Sequence, residues 1–134
     1  MYSLYAWLAR GLAIAVLVQV FLAGLALFQD AGRWASHGNF GKAIVVLPVL
    51  MLALSFIARM PFAYRLSGAG LVGMTLLMFA TANLSSDAGV LAALHPVLAL
   101  MIFMGAAANA RKAAAFVKAS LQEANEHPAR GNAG

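Results

Sequence analysis

The sequence predicts an all-α fold: a polytopic membrane protein arranged as a four-transmembrane-helix up-down bundle. Three observations carry this. Of the 134 residues, 63% are hydrophobic and only 10% are charged, where soluble domains are about 45–50% apolar and about 25% charged. The mean hydropathy is +0.86. The apolar residues also fall into four long runs with short polar breaks, and each approaches the roughly 20 helical residues that cross a bilayer core. Hydrocarbon offers backbone amides no partners, and no strand alternation suggests a barrel, so the runs are read as helices. A soluble globular enzyme does not fit this composition.

The first run spans residues 5–28 or 11–28, preceded in the shorter version by Arg10. It exceeds the roughly 7–15 residues of a signal-peptide core, and three further runs follow, so an uncleaved helix is expected. Asp30-Ala31-Gly32-Arg33 breaks the chain, and a second run covers residues 40–58. Residues 59–65 form a tight basic turn around Pro61, and a third run, 66–84, leads into Ser85-Ser86-Asp87. The fourth covers residues 88–109. Asp30 and Ser86 or Asp87 are placed to cap the helices after them, which starts the second helix near Ala31 and the fourth near Ala88. Each then contains a proline, Pro48 or Pro96, which removes an amide donor and favours a kink. Residues 1–112 make up the four-helix transmembrane domain. Residues 113–134 are a polar tail, helical at first and disordered over its last ten residues.

The formal charge is +5 and the isoelectric point about 10.3, yet the basic residues sit mainly at the ends of apolar runs. That is a topology signal, and no nucleic-acid partner is expected. Arg10, Arg59, Arg65, Arg111, Lys112, Lys118 and Arg130 fall on one side; only Arg33 and Lys42 fall on the other, with Asp30 and Asp87. The positive-inside rule then puts both termini in the cytoplasm. Tyr2, Tyr5, Trp7, Phe62 and Tyr64 are expected at the inner interface and Trp34 at the outer one. Without cysteine there is no disulfide framework, thiolate metal site or thiol nucleophile.

The two halves look duplicated. Asp30-Ala31-Gly32 precedes His37 by seven residues and Asp87-Ala88-Gly89 precedes His95 by eight, giving two helical hairpins with a histidine in matching places. Ionisable residues in or near a span are rare and usually face the bundle interior or water. Both histidines lie early in an even-numbered helix, at the same outer level, where two helices can aim imidazoles at one centre. Axial ligation of a b-type heme suits such a pair, with His37 and His95 on the iron. Gly38 and Gly41 would leave room for a flat macrocycle, and Arg33 and Lys42 would pair with propionates. In the plainer alternative, His37 is interfacial and His95 a helix-start residue before Pro96. A zinc site would want three or four ligands, and no convincing third is present.

Gln19, Thr75, Thr81 and Asn83 lie in the apolar runs and read as interhelical hydrogen-bonding groups; Gln19 is also placed to grip a cofactor or a quinone headgroup. Gly68-Ala69-Gly70-Leu71-Val72-Gly73 matches the dinucleotide fingerprint by letters. It lacks the preceding strand that the motif requires, so close helix packing is the expectation. The seven methionines form no metal-binding box and read as adaptable packing. Residues 111–118 read as a topology anchor or a short basic helix on anionic lipid. Glu123 and Glu126 form no catalytic pair, and no catalytic residue is assigned.

The run Gln19-Val20-Phe21-Leu22-Ala23-Gly24-Leu25-Ala26-Leu27-Phe28, then His37 with Gly41 four residues on, then His95-Pro96-Val97, resembles a family of small four-helix bacterial membrane proteins whose activity is unassigned. The likeness covers roughly residues 10–110 and implies a bacterial inner (cell) membrane. More distantly, a glutamine- and glycine-bearing first helix followed by histidines on the second and fourth is similar to the four-helix halves of heme A synthase. That resemblance implies His37 and His95 as axial heme ligands. The arginine-flanked histidine motif and the second four-helix half of that enzyme are missing, so its synthase activity is not implied.

Two functions from different classes follow as expectations. One is heme b held between helices 2 and 4 for electron transfer or heme handling. The other is a non-catalytic structural or accessory subunit, packed through small-residue faces on another membrane protein or a second copy. A proton-coupled exporter is disfavoured because the four spans carry no carboxylate.

Overall fold

The computed structural model describes the backbone of residues 1–83 and 89–131, with side chains as far as 125. The elements are α1 (Tyr2–Phe28), a 3-10 turn (Ala31–Arg33), α2 (Trp34–Ile44), α3 (Val46–Ile57), α4 (Phe62–Asn83), α5 (Gly89–Ala92) and α6 (Leu94–Gly131). No strand occurs among the described residues. Tyr2–Phe28, Ala31–Ile57, Phe62–Asn83 and Gly89–Asn125 are long and apolar enough to cross a membrane. The four-helix, all-α architecture expected from composition is therefore present, in a form compatible with a multi-pass membrane protein.

Both prolines interrupt their helices in the same way. The break between α2 and α3 falls at Val45, three residues before Pro48, and that between α5 and α6 at Ala93, three residues before Pro96. A proline has no N–H to return to the carbonyl four residues back, which leaves Ile44 and Ala92 without their usual partner and loosens the ladder there. Measured from its histidine, each break lies elsewhere: past His37 in the second span, before His95 in the fourth. The prolines therefore do not repeat the match that the histidines suggest. Asp30 caps as expected, its Oδ1 accepting from the Gly32 N–H at 2.9 Å. The Ser86 or Asp87 cap, and the Asp87 and Ala88 of the second Asp-Ala-Gly triplet, lie outside the described residues.

The α3–α4 connection ends α3 with paired reverse bonds: Arg59 N–H to Phe56 O at 3.0 Å and Met60 N–H to Ser55 O at 2.9 Å. This closure needs a left-handed residue at its centre, usually glycine, and here Arg59 takes it with φ 48°. Met60 is buried beyond it, and Pro61 follows to start α4.

Around the bundle, α1 sits between α6 and the α2–α3 span, and α4 sits between α3 and α6. The second and fourth spans are thus diagonal partners. The tightest seam joins α1 and α6, where Ala6, Ala9 and Ala13 meet Ala99, Ala106, Ala110 and Ala113, all buried. Small side chains let helix backbones approach, which is how membrane helices gain packing energy without a hydrophobic drive. Of the glycine run in α4, only Gly68 makes the expected close approach: a Cβ there would lie 3.2 Å from the Leu52 Cα, while Gly70 and Gly73 face open space.

At the end of the bundle where α1 begins, here the near end, Tyr5 packs between helices. It is fully buried, packs edge-on against Tyr64 at 5.3 Å and donates to Asn109 Oδ1 at 3.1 Å. Asn109 Nδ2 donates in turn to Ser67 Oγ at 2.6 Å and Gly105 O at 2.8 Å, tying α1, α4 and α6 together. Tyr2 stacks on Phe116 at 4.1 Å, and α6 runs through the expected domain boundary at 112 without a break. The disorder expected over the last ten residues is not what the backbone shows as far as Gly131, where α6 is still helical; residues past 131 lie outside those described.

Candidate functional site

His37 is in the first turn of α2 and His95 is the second residue of α6. Their helices are diagonal, so the two side chains approach across the bundle interior rather than along a helix–helix contact. Their ring centroids are 6.1 Å apart with 50° between the planes. The two imidazoles thus lie close together at the far end of the bundle.

The hydrogen bonds decide which ring nitrogens are free. Gln19 O can only accept, so the 3.1 Å contact to His37 Nδ1 requires an N–H on Nδ1 and leaves the Nε2 lone pair available. Thr81 uses its single hydroxyl proton on Met78 O at 2.9 Å. Its oxygen then faces His95 Nδ1, at 3.5 Å, as an acceptor, which favours the same tautomer. A histidine held through Nδ1 with Nε2 free is the usual arrangement of a metal-ligating imidazole.

Gln19 holds His37 twice, since its Nε2 also donates to His37 O at 2.8 Å. Its Oε1 is buried without a partner in a cavity of about 110 Å³ that it lines with Leu12, His37, Gly41, Met78 and His95. On the far side of the histidines a second cavity of about 540 Å³ is lined by Ala23, Leu27, Trp34, Ala92 and Pro96. The two cavities meet at His37, Ala82 and His95. The histidine pair therefore stands in the middle of an apolar slot open on both sides of it.

Three expected assignments change. Gly41 does not clear space for a macrocycle: a Cβ there would lie 2.8 Å from Gln19 Nε2, so its missing side chain is what admits the glutamine amide. Lys42, five residues after His37, comes off α2 at a different angle, is exposed and lines neither cavity. Arg33 is exposed in the 3-10 turn and also lines neither cavity, so the structure does not bring the expected propionate partners to the slot. Gly38 does line the smaller cavity, and a Cβ on it would meet nothing within 4 Å.

Trp34, expected only as an interfacial aromatic, packs edge-on against His37 at 5.4 Å. The three-residue spacing on one helix is the signal that could have paired them. Asn109 gave no such signal, because at the end of an apolar run it reads as a boundary residue.

The residues fit a planar macrocycle better than a bare ion. Among the described residues no group of three or more His, Cys, Asp or Glu gathers to hold a metal, and two donors do not complete a tetrahedral site. A porphyrin brings its own four nitrogens and asks the protein only for axial ligands. The larger cavity by itself falls within the ~300–1,000 Å³ common for cofactor sites.

A family model described as a family of unknown function, DUF6220, matches residues 19–87, just over half of the chain. The protein belongs to the DUF6220 family. The match begins at Gln19 and includes His37 and Gly41, while His95 of this DUF6220 protein lies beyond it. No curated protein and no solved structure matches the chain, and the resemblance to heme A synthase expected from the residue pattern is not shown.

Proposed function

We propose that this DUF6220 protein is a small multi-pass protein of the bacterial inner membrane, with both termini cytoplasmic, that binds a b-type heme between His37 and His95. The observation that carries this is the imidazole pair, facing across the diagonal of the bundle with 6.1 Å between ring centroids and a cavity on either side. The lopsided distribution of Lys and Arg over the connections supports the orientation.

In this reading His37 and His95 would hold the heme iron through their Nε2 atoms. Gln19 fixes the rotation of the His37 ring through its backbone carbonyl and holds the start of α2 through its side-chain amide. Thr81, on α4, faces His95 Nδ1 with its hydroxyl oxygen at 3.5 Å. Leu27, Phe79 and Ile102 line the slot with apolar side chains. A heme bound there supplies a one-electron couple, which suits electron transfer or heme handling.

The test is an oxidised-minus-reduced visible spectrum of the protein purified in mild detergent from heme-replete cells, beside His37→Ala and His95→Ala. A Soret band with sharp reduced α and β bands, lost in both variants, is the expected result. A featureless spectrum from folded, heme-supplied protein would retire the proposal. An accessory-subunit role is the second reading. It is favoured by Gly70 and Gly73, which leave an exposed small-residue patch on α4 with open space above it, and a specific co-purifying membrane partner would support it.

A further inference from the structure

A second site lies at the opposite end of the bundle, on the outside of the α1–α6 seam. Arg10 and Arg111 line one groove of about 530 Å³, whose floor is Ala13, Ile14, Phe103 and Ala107. Side chains on a helix lean toward its N-terminus, and α1 and α6 are antiparallel. Arg10 therefore leans toward the near end, with its guanidinium 4.8 Å from the centre of the Trp7 ring, while Arg111 leans inward from α6. Both cations border the same groove. A smaller groove of about 180 Å³ continues past Arg10 along Ser3, Trp7 and Val117 to the end of the bundle.

Among the described residues no acidic side chain lines this groove. Of the four acidic residues, Asp30 closes α1 at the opposite end and Glu123 lies twelve residues beyond Arg111 on α6, a rise of about 18 Å. Asp87 and Glu126 are outside the described side chains. Two like charges over an apolar floor are a match for an anion that carries a hydrocarbon chain.

We propose that this groove binds one anionic phospholipid, its phosphate between Arg10 and Arg111 and an acyl chain along Ala13, Ile14, Phe103 and Ala107. The site seals the α1–α6 seam at the membrane surface.

The full-length protein in mild detergent is titrated with dioleoylphosphatidylglycerol, dioleoylphosphatidylcholine or inorganic phosphate, and bound lipid is counted by native mass spectrometry beside the shift in thermal midpoint. Phosphatidylglycerol is expected to bind roughly thirty-fold more tightly than phosphatidylcholine, from the usual attraction of two basic residues to anionic headgroups. The preference disappears in Arg10→Gln/Arg111→Gln and survives in Arg59→Gln, which removes an arginine from the same end of the bundle. Ala107→Leu, which fills the groove without changing charge, weakens phosphatidylglycerol retention and keeps the proposal testable if the double variant does not fold. Equal binding of the two lipids, undiminished binding by the double variant, or a full shift from inorganic phosphate alone would overturn it.

Discussion

The two ends of this bundle are built differently. At the near end Tyr5, Met51 and Met60 are almost wholly buried, and one asparagine joins three helices. At the far end α2 buries no residue at all, and the interior holds two cavities on either side of a histidine pair. Membrane helices associate through packing and interhelical hydrogen bonds, so the near end supplies most of what holds the bundle together. That frees the far end to keep an open slot, with His37 held by Gln19 rather than by surrounding bulk. The chain thus separates a tightly packed half from a half with open internal space.

Truncating the packed end should have the largest effect on stability. Met51→Ala opens a hole among side chains that cannot close over it. In hydrocarbon the transfer part of the usual cost is absent and the packing part remains, about 1–3 kcal/mol, read by denaturant titration in mixed micelles. If Met51→Ala were no more harmful than Leu27→Ala beside the larger cavity, the contrast between the ends would fail.

Asn109→Leu removes three hydrogen bonds and leaves the Tyr5 hydroxyl buried without its acceptor, at about 1–2 kcal/mol. Asn83→Leu is the matched control, because its amide reaches only Phe79 O in its own helix; an equal loss in both variants would show that the three-helix junction adds nothing.

Arg59→Gly should stabilise the protein by about 1 kcal/mol, since glycine takes the left-handed conformation without the Cβ penalty. A thermal midpoint unchanged or lowered would mean that the Arg59 side chain contributes as much as its backbone strain costs.

The glycines of α2 give the smallest and sharpest contrast. Gly41→Ala pushes a Cβ into Gln19 Nε2 and should cost about 1 kcal/mol by breaking its bond to His37 O. Gly38→Ala enters open space and should gain up to about 1 kcal/mol from helix propensity. The paired thermal midpoints should move in opposite directions; movement in the same direction would show that Gln19 does not depend on the space at Gly41.

The histidines were legible in the sequence because an ionisable residue beside an apolar run stands out. Their separation from the Asp-Ala-Gly triplets put them at one level. What could not be read was the rotation of each helix about its own axis. Gly41 and Lys42 were assigned to the ligand by nearness along the chain, yet one faces Gln19 and the other leaves α2 away from the slot. Asn109 and Tyr5 sit near the ends of apolar runs, so local hydropathy gave each the place of a boundary residue although they meet in the interior.

By itself the sequence determined the number of spans, their helical state and the positions of the breaks. Those depend on quantities carried along the chain: the length of each apolar run, the amide missing at Pro48 and Pro96, and the need to satisfy every backbone group in hydrocarbon. Only the tertiary structure decided that the spans bearing His37 and His95 are diagonal, that Gln19 holds one histidine and Thr81 faces the other, and that Arg10 and Arg111 line one groove outside the seam. These are relations among faces of different helices, and they are set when four helices pack simultaneously, chiefly by how closely the alanines of α1 and α6 let two backbones approach.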